Sequence, residues 1–117
     1  MKVSIITAVF NRKNTISRCV ESVLAQSYPN IEYIIVDGGS NDGTLDALAS
    51  FKNGIDVFVS EKDHGIYDAL NKGVTLASGD VIGFLHSDDF FAHCNVIDNI
   101  VSGFSDAVGV DLVYGDL

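Results

Sequence analysis

The chain is poor in the residues that break or cross-link a fold. It has one proline and no low-complexity run in 117 residues. That leaves no visible linker, and no internal repeat divides the chain. Residues 1–117 therefore read as a single domain, long enough to bury a real core. Cysteine is scarce as well. Cys19 and Cys94 offer neither a disulfide framework nor a zinc-ligand spacing. Cys19 falls in a helical apolar stripe with Ile16, Val20, Val23 and Leu24, which reads as a buried free thiol and a reducing compartment. Positive charge is the third shortage. Seven Lys and Arg face sixteen Asp and Glu, a net charge of −9. This argues against nucleic acid or an anionic membrane surface as a direct partner. An anionic ligand would need a cation or backbone N–H groups to hold it. No apolar run is long enough to span a bilayer. The opening MKVSIITAVF is too short for a signal peptide and runs into polar Asn11-Arg12-Lys13-Asn14 without a cleavage site. The expected location is cytoplasmic, with peripheral contact at the inner face of the membrane as an extension of that reading.

What is present is alternation. Val3–Phe10 is a β-rich apolar run. Asn14 is placed to cap a helix reaching about Ser27, with apolar residues at helical spacing. Ile31–Val36 is a nearly continuous apolar strand, as expected where both sheet faces are covered. The glycine-dense loop DGGSNDGT follows, then a helix over Leu45–Phe51 and a strand at Ile55–Val59. Ile66, Ala69, Leu70, Val74 and Ala77 mark a third helix. Strand Val81–His86, a helix over Val96–Phe104 and a strand at Asp111–Tyr114 complete the order. Such alternation predicts an α/β fold, a three-layer Rossmann-like arrangement with a mostly parallel sheet. Ligands of such sheets bind beyond the carboxyl ends of the strands. The residues to inspect are therefore those after each strand: Phe10-Asn11, Asp37 to Ser40, Ser60 to His64, and His86 to Asp89.

Asp88 and Asp89 stand out, because adjacent carboxylates repel by about 4 kcal/mol at ~4 Å and an effective dielectric of about 20. A hard divalent cation, Mg2+ or Mn2+, would turn that repulsion into attraction and create a place for a diphosphate. The plainer alternative is a solvated turn with one Asp capping a helix. Asp37 could accept a hydrogen bond from a base or ribose, or could simply form the Asp-Gly turn. Gly38 and Gly39 would allow a ligand close to the backbone. The loop is neither a P-loop nor a GxGxxG turn. Phe10 could stack on a nucleobase or pack in the core. Asp68 and Lys72, four apart on a helix, suit a surface ion pair. His64, His86 and His93 have no metal-ligand spacing as a set, and His64 is the best placed of them for a ligand contact.

Three blocks in order resemble the family 2 glycosyltransferases, inverting enzymes of the GT-A fold. They are VSIITAVFNR, SVLAQSYPNIEYIIVDGGSNDGT and GIYDALNKGVTLASGDVIGFLHSDD. The third block is similar to a bacterial subgroup that builds surface polysaccharide. The resemblance implies that Phe10 stacks on the base, that Asp37 contacts the nucleoside, and that Asp88 and Asp89 form the DXD-type site for ribose and a metal-bound diphosphate. The expected substrate-binding set is Phe10, Asp37, Gly39, Asp68 and Asp88. The expected metal pair is Asp88 and Asp89, with Mn2+ or Mg2+ as cofactor. The implied partners are a nucleotide-diphosphate sugar, most commonly a UDP-sugar, and a glycan or lipid-linked acceptor. The sequence also departs from the family pattern. Gly38 stands where an acid is common, so a nucleoside contact is expected to be lost. Leu70 stands where many members carry Arg. The family's catalytic base lies well downstream of the DXD motif, and Asp116 comes too early to match it. The chain therefore reads as a donor-binding half, with a non-catalytic nucleotide-sugar-binding or assembly module as the alternative. A receiver domain lacks its acidic pair and lysine here, and a nucleotidyltransferase lacks its glycine-rich basic loop.

Overall fold

The structure is a computed structural model that describes residues 1–104. The strand expected at Asp111–Tyr114, and Asp116, lie outside the described residues. Four strands, β1 (Val3–Val9), β2 (Ile31–Asp37), β3 (Val57–Ser60) and β4 (Val81–Phe84), form one all-parallel sheet in the order β3-β2-β1-β4. Between and after them come α1 (Ile16–Leu24), α2 (Thr44–Ala49), α3 (Ile66–Leu76) and α4 (Val96–Phe104).

Every residue of β1 is buried, as befits a strand flanked on both edges and covered on both faces. Alternation along β1 divides the core. Val3, Ile5 and Val9 pack with Ile16, Cys19, Val20 and Val23 of α1, Leu48 of α2 and Ile97 of α4. Ile6 and Ala8 face the other way, with Ile34, Val36 and Ala69 of α3. The result is three layers, with α1, α2 and α4 on one face and α3 on the other. Helix α3 comes close to the sheet at Gly73, where an added Cβ would lie 2.5 Å from Ile6 Cγ2.

The described helices and strands lie where the alternation placed them, and several of their ends differ. Asn14 is not the cap of α1. Thr15 occupies that position, and its hydroxyl makes no bond to its own helix. Strand β4 ends at Phe84 and not at His86, and residues 85–95 then run without regular structure. The reason lies in α1, whose side chains take up the backbone groups of that stretch.

Candidate functional site

Parallel pairing brings the carboxyl ends of all four strands to one edge. The loop after β1 and the loop after β2 are laced together there. Asn11 sits in the left-handed region (φ 51°), uncommon for a residue with a side chain. That turn lets its amide donate to Ser40 Oγ (2.8 Å) while its Oδ1 accepts the amide of Asn41 (2.8 Å). The Arg12 amide donates to Thr44 Oγ1 (2.9 Å), and the Lys13 amide to Asp42 (3.3 Å). The Thr44 hydroxyl bond, with the amides of Thr44 and Lys13, holds the Asp42 carboxyl below its ordinary range.

Asp37 anchors this lacing. It is fully buried. Its oxygens accept the amides of Gly39 and Ser40 (both 3.0 Å), the Ser40 hydroxyl (2.6 Å) and, from β3, the Ser60 hydroxyl (2.9 Å). Four donors satisfy a carboxylate that would otherwise be costly to bury. The turn-forming role is thus the one its contacts display. Gly39 has φ 92° and lies against the backbone of Lys62.

A pocket of about 400 Å3 opens at this edge, lined among others by Phe10, Arg12, Gly38, Lys62, Asp63 and Ser87. Phe10 is 54% exposed, which removes the core-packing alternative and leaves a ring face available. Arg12 and Lys62 bring positive charge to a strongly acidic chain. Gly38 has a bearing on the expected loss of an acid. A Cβ there would lie 2.9 Å from Asp63 Oδ2, so the Asp63 carboxylate fills the space beside the glycine.

Asp88 and Asp89 follow Ser87 at the β4 side of the pocket. Asp88 is exposed, and Asp89 is partly buried with Oδ1 accepting the Phe90 amide (3.0 Å). The Asp89 amide donates to the His86 carbonyl (3.0 Å), closing a tight turn. Arg18 of α1 stacks 3.7 Å above the Phe90 ring. Beneath the turn, Cys19 donates to the same His86 carbonyl (3.4 Å). Its thiol also lies 3.8 Å from both Thr7 Oγ1 and Tyr33 OH. Burial, with the charges of Asp89 and Asp88 adding to it, pushes the Cys19 thiol up to about 11, against the pull of its Tyr33 and Thr7 contacts.

The structure does not gather all of the expected residues. Of the expected set Phe10 lines the pocket, whereas Asp37, Gly39, Asp68, Asp88 and Asp89 are not among its lining residues; Asp88 and Asp89 follow the lining residue Ser87 in the chain. Asp68 accepts the His64 amide (3.2 Å) at the start of α3 and lies 3.6 Å from Lys72, which also pairs with Glu61 at 2.9 Å. The surface ion pair read from the spacing is present. His64 and His93 are exposed. Lys62 and Asp63 fall in the Ser60 to His64 segment that strand-end position marked, though neither was given a role. Arg12 was not singled out; it follows Phe10-Asn11 at the end of β1, so the same signal extended by one residue could have found it. Among the described residues, no group of three or more His, Cys, Asp or Glu could hold a metal by itself. No described helix is long and apolar enough to cross a membrane.

The family model described as Glycosyl transferase family 2 matches residues 4–112. An uncharacterized glycosyltransferase of Mycobacterium tuberculosis is 41% identical over 114 residues, covering 97% of this chain and 44% of the relative. The PGL/p-HBAD biosynthesis glycosyltransferase of Mycobacterium bovis is 33% identical over 117 residues, covering 97% and 46%. The chain thus spans less than half the length of these relatives. Among solved structures, the mannosyltransferase PcManGT of Pyrobaculum calidifontis, in complex with GDP-Man and Mn2+, superposes with a TM-score of 0.83 at 24% identity, covering 91% of this chain and 33% of that one. TarS 1–349 of S. aureus in complex with UDP-GlcNAc gives 0.82 at 24% identity, covering 91% and 32%. The fold is therefore that of the GT-A glycosyltransferases, and the chain belongs to glycosyl transferase family 2.

Proposed function

We propose that this domain binds a nucleotide-diphosphate sugar, as the donor side of an inverting glycosyltransferase acting on a glycan or lipid-linked acceptor. The observation that carries the reading is the pocket at the carboxyl edge. An exposed aromatic face, Phe10, and two cations, Arg12 and Lys62, line one cavity together with Ser87, the residue that leads into Asp88-Asp89. In this reading the base lies against Phe10 and the diphosphate points toward Asp88 and Asp89. Two structural neighbours hold a nucleotide sugar, UDP-GlcNAc in TarS and GDP-Man in PcManGT. The Mycobacterium bovis relative is named for PGL/p-HBAD biosynthesis, which supports a transferase role in a biosynthetic pathway.

A divalent cation fits these residues. Asp88 and Asp89 supply hard oxygen donors, and Mg2+ or Mn2+ uses one or two carboxylates with substrate phosphates completing the shell. In this reading substrate phosphates and water complete the shell around the two carboxylates. The cation, when bound, would offset charge on the leaving diphosphate. The protein's own part is to stack the base on Phe10, to hold the loops after β1 and β2 rigid through Asn11 and Asp37, and to bring Arg12 and Lys62 near an anionic ligand. Deprotonation of the acceptor hydroxyl needs a general base within about 2.6–3.2 Å or one water of it. Asp88 and Asp89 are assigned to the diphosphate in this reading. Donor binding is therefore the part of the reaction that these residues are proposed to supply.

The test is calorimetric titration with UDP and GDP, with and without Mn2+, on wild type and Asp89→Asn. The expected result is nucleotide binding tightened by Mn2+, with the tightening largely lost in Asp89→Asn. Equal Mn2+-linked affinity in the two proteins would overturn the metal assignment. No binding of either nucleotide by the folded wild type would overturn the donor-site reading itself.

A further inference from the structure

Helix α1 and the residues flanking it carry a polar stripe at positions 15, 19, 22 and 26, spaced to lie along one face. All four side chains bond to backbone of the irregular stretch between β4 and α4. Thr15 Oγ1 donates to the Ser87 carbonyl (3.0 Å), and Cys19 Sγ to the His86 carbonyl (3.4 Å). Ser22 Oγ accepts the Phe91 amide (3.0 Å). Gln26 donates to the His93 carbonyl (2.7 Å) and accepts the Ile97 amide (3.0 Å). Residues 85–95 have no regular structure to satisfy these groups, and buried backbone groups need partners.

The first two anchors differ from the rest. They hold adjacent carbonyls, those of His86 and Ser87, immediately before Asp88. Thr15 does so at the expense of its own helix. A threonine at this position ordinarily caps the first turn, and here it makes no such bond. Cys19 is set from below by Thr7 and Tyr33, which bond each other at 2.9 Å.

We propose that Thr15 and Cys19 are positioning residues for the Asp88-Asp89 pair, holding the peptide from which both carboxylates project so that a divalent cation meets them preformed. This rests on the reading of Asp88 and Asp89 as the cation's carboxylates. Two like charges on an unanchored turn would splay apart. Two carbonyls tied to a helix that is itself packed in the core resist that movement.

The experiment measures the Mn2+ concentration needed for half-maximal enhancement of UDP binding, together with UDP affinity without metal. Thr15→Val and Cys19→Ala remove the anchors. Thr15→Ser and Cys19→Ser keep a donor. Ser22→Ala removes an anchor on the same stretch but away from the carboxylates. Loss of supporting bonds around metal ligands costs about 10- to 100-fold in metal affinity. The expected result is a rise of that order in the Mn2+ midpoint for Thr15→Val and Cys19→Ala, with metal-free UDP affinity unchanged. The serine variants should return toward wild type, and Ser22→Ala should leave the midpoint in place. If Cys19→Ala does not fold, the Thr15 pair decides. Wild-type midpoints in folded Thr15→Val and Cys19→Ala overturn the positioning role alone. A wild type without any Mn2+ linkage overturns this role together with the metal assignment beneath it.

Discussion

Phe10 is the aromatic among the pocket's lining residues. A ring 54% exposed at the mouth of a pocket forgoes burial that a core phenylalanine would gain. Base stacking on aromatic side chains is worth about 1–3 kcal/mol per base in nucleic-acid binders. Phe10→Ala should therefore weaken UDP binding by roughly 5- to 150-fold while leaving the melting temperature nearly unchanged, read by calorimetry and thermal denaturation on the same sample. Phe10 and the Asp88-Asp89 pair were legible because they stand out chemically: a ring and two like charges at strand ends. Asp37 was legible as important, but its partners were not. Nothing in Asp-Gly-Gly-Ser says that Ser60, 23 positions away, completes its shell of donors. Asp63 was hidden for the same reason. Its place beside Gly38 is a contact between the loops after β2 and β3 and exists only once the sheet is assembled.

Among the helices, α3 lies closest to the sheet, and Gly73 permits it. Ile6, which an added methyl would strike, is fully buried and has little room to move. Overpacking of this kind costs about 1–3 kcal/mol, offset in part by the better helix propensity of alanine, about 1 kcal/mol. Gly73→Ala should lower the melting temperature. Among the described residues, a Cβ at Gly103 of α4 meets nothing within 4 Å, so Gly103→Ala should raise it slightly. Thermal circular dichroism on both variants checks the opposite signs. Element order and type were readable from apolar periodicity, because each strand and helix buries a face at its own period. Element ends were not. The start of α1 and the end of β4 depend on each other through Thr15, Cys19 and the carbonyls they hold. Neither end is a local property of its own segment.

On the scale of the whole molecule, the edge opposite the pocket has its own fastening. Glu32, at the start of β2, accepts the Ser4 hydroxyl (2.8 Å) from β1 and the Ser78 amide (2.9 Å) from the turn before β4, and lies 3.5 Å from Lys2. Burial alone would raise its carboxyl. The bonds from Ser78 and Ser4 and the Lys2 charge outweigh that and lower it from 4.5 to about 2. A carboxyl depressed by folding stabilises the fold above its ordinary value, and the contribution fades as pH falls toward the folded value. Wild type should thus exceed Glu32→Gln in stability at pH 7. The gap should shrink between about pH 4.5 and pH 2 in urea denaturation followed across that range.

The stripe on α1 grips carbonyls and amides, and every residue except proline offers the same pair. A scaffold that recognises peptide groups is indifferent to the side chains it carries. The exposed positions Ala92, His93 and Asn95 can therefore drift from one lineage to the next without the turn losing its footing. Amides at Phe91 and Ile97 are part of the grip, so proline is the substitution that inheritance should avoid there. New preferences beside the carboxylates could then arise by exchanging the residues displayed on a fixed ledge, with no rebuilding of the ledge itself.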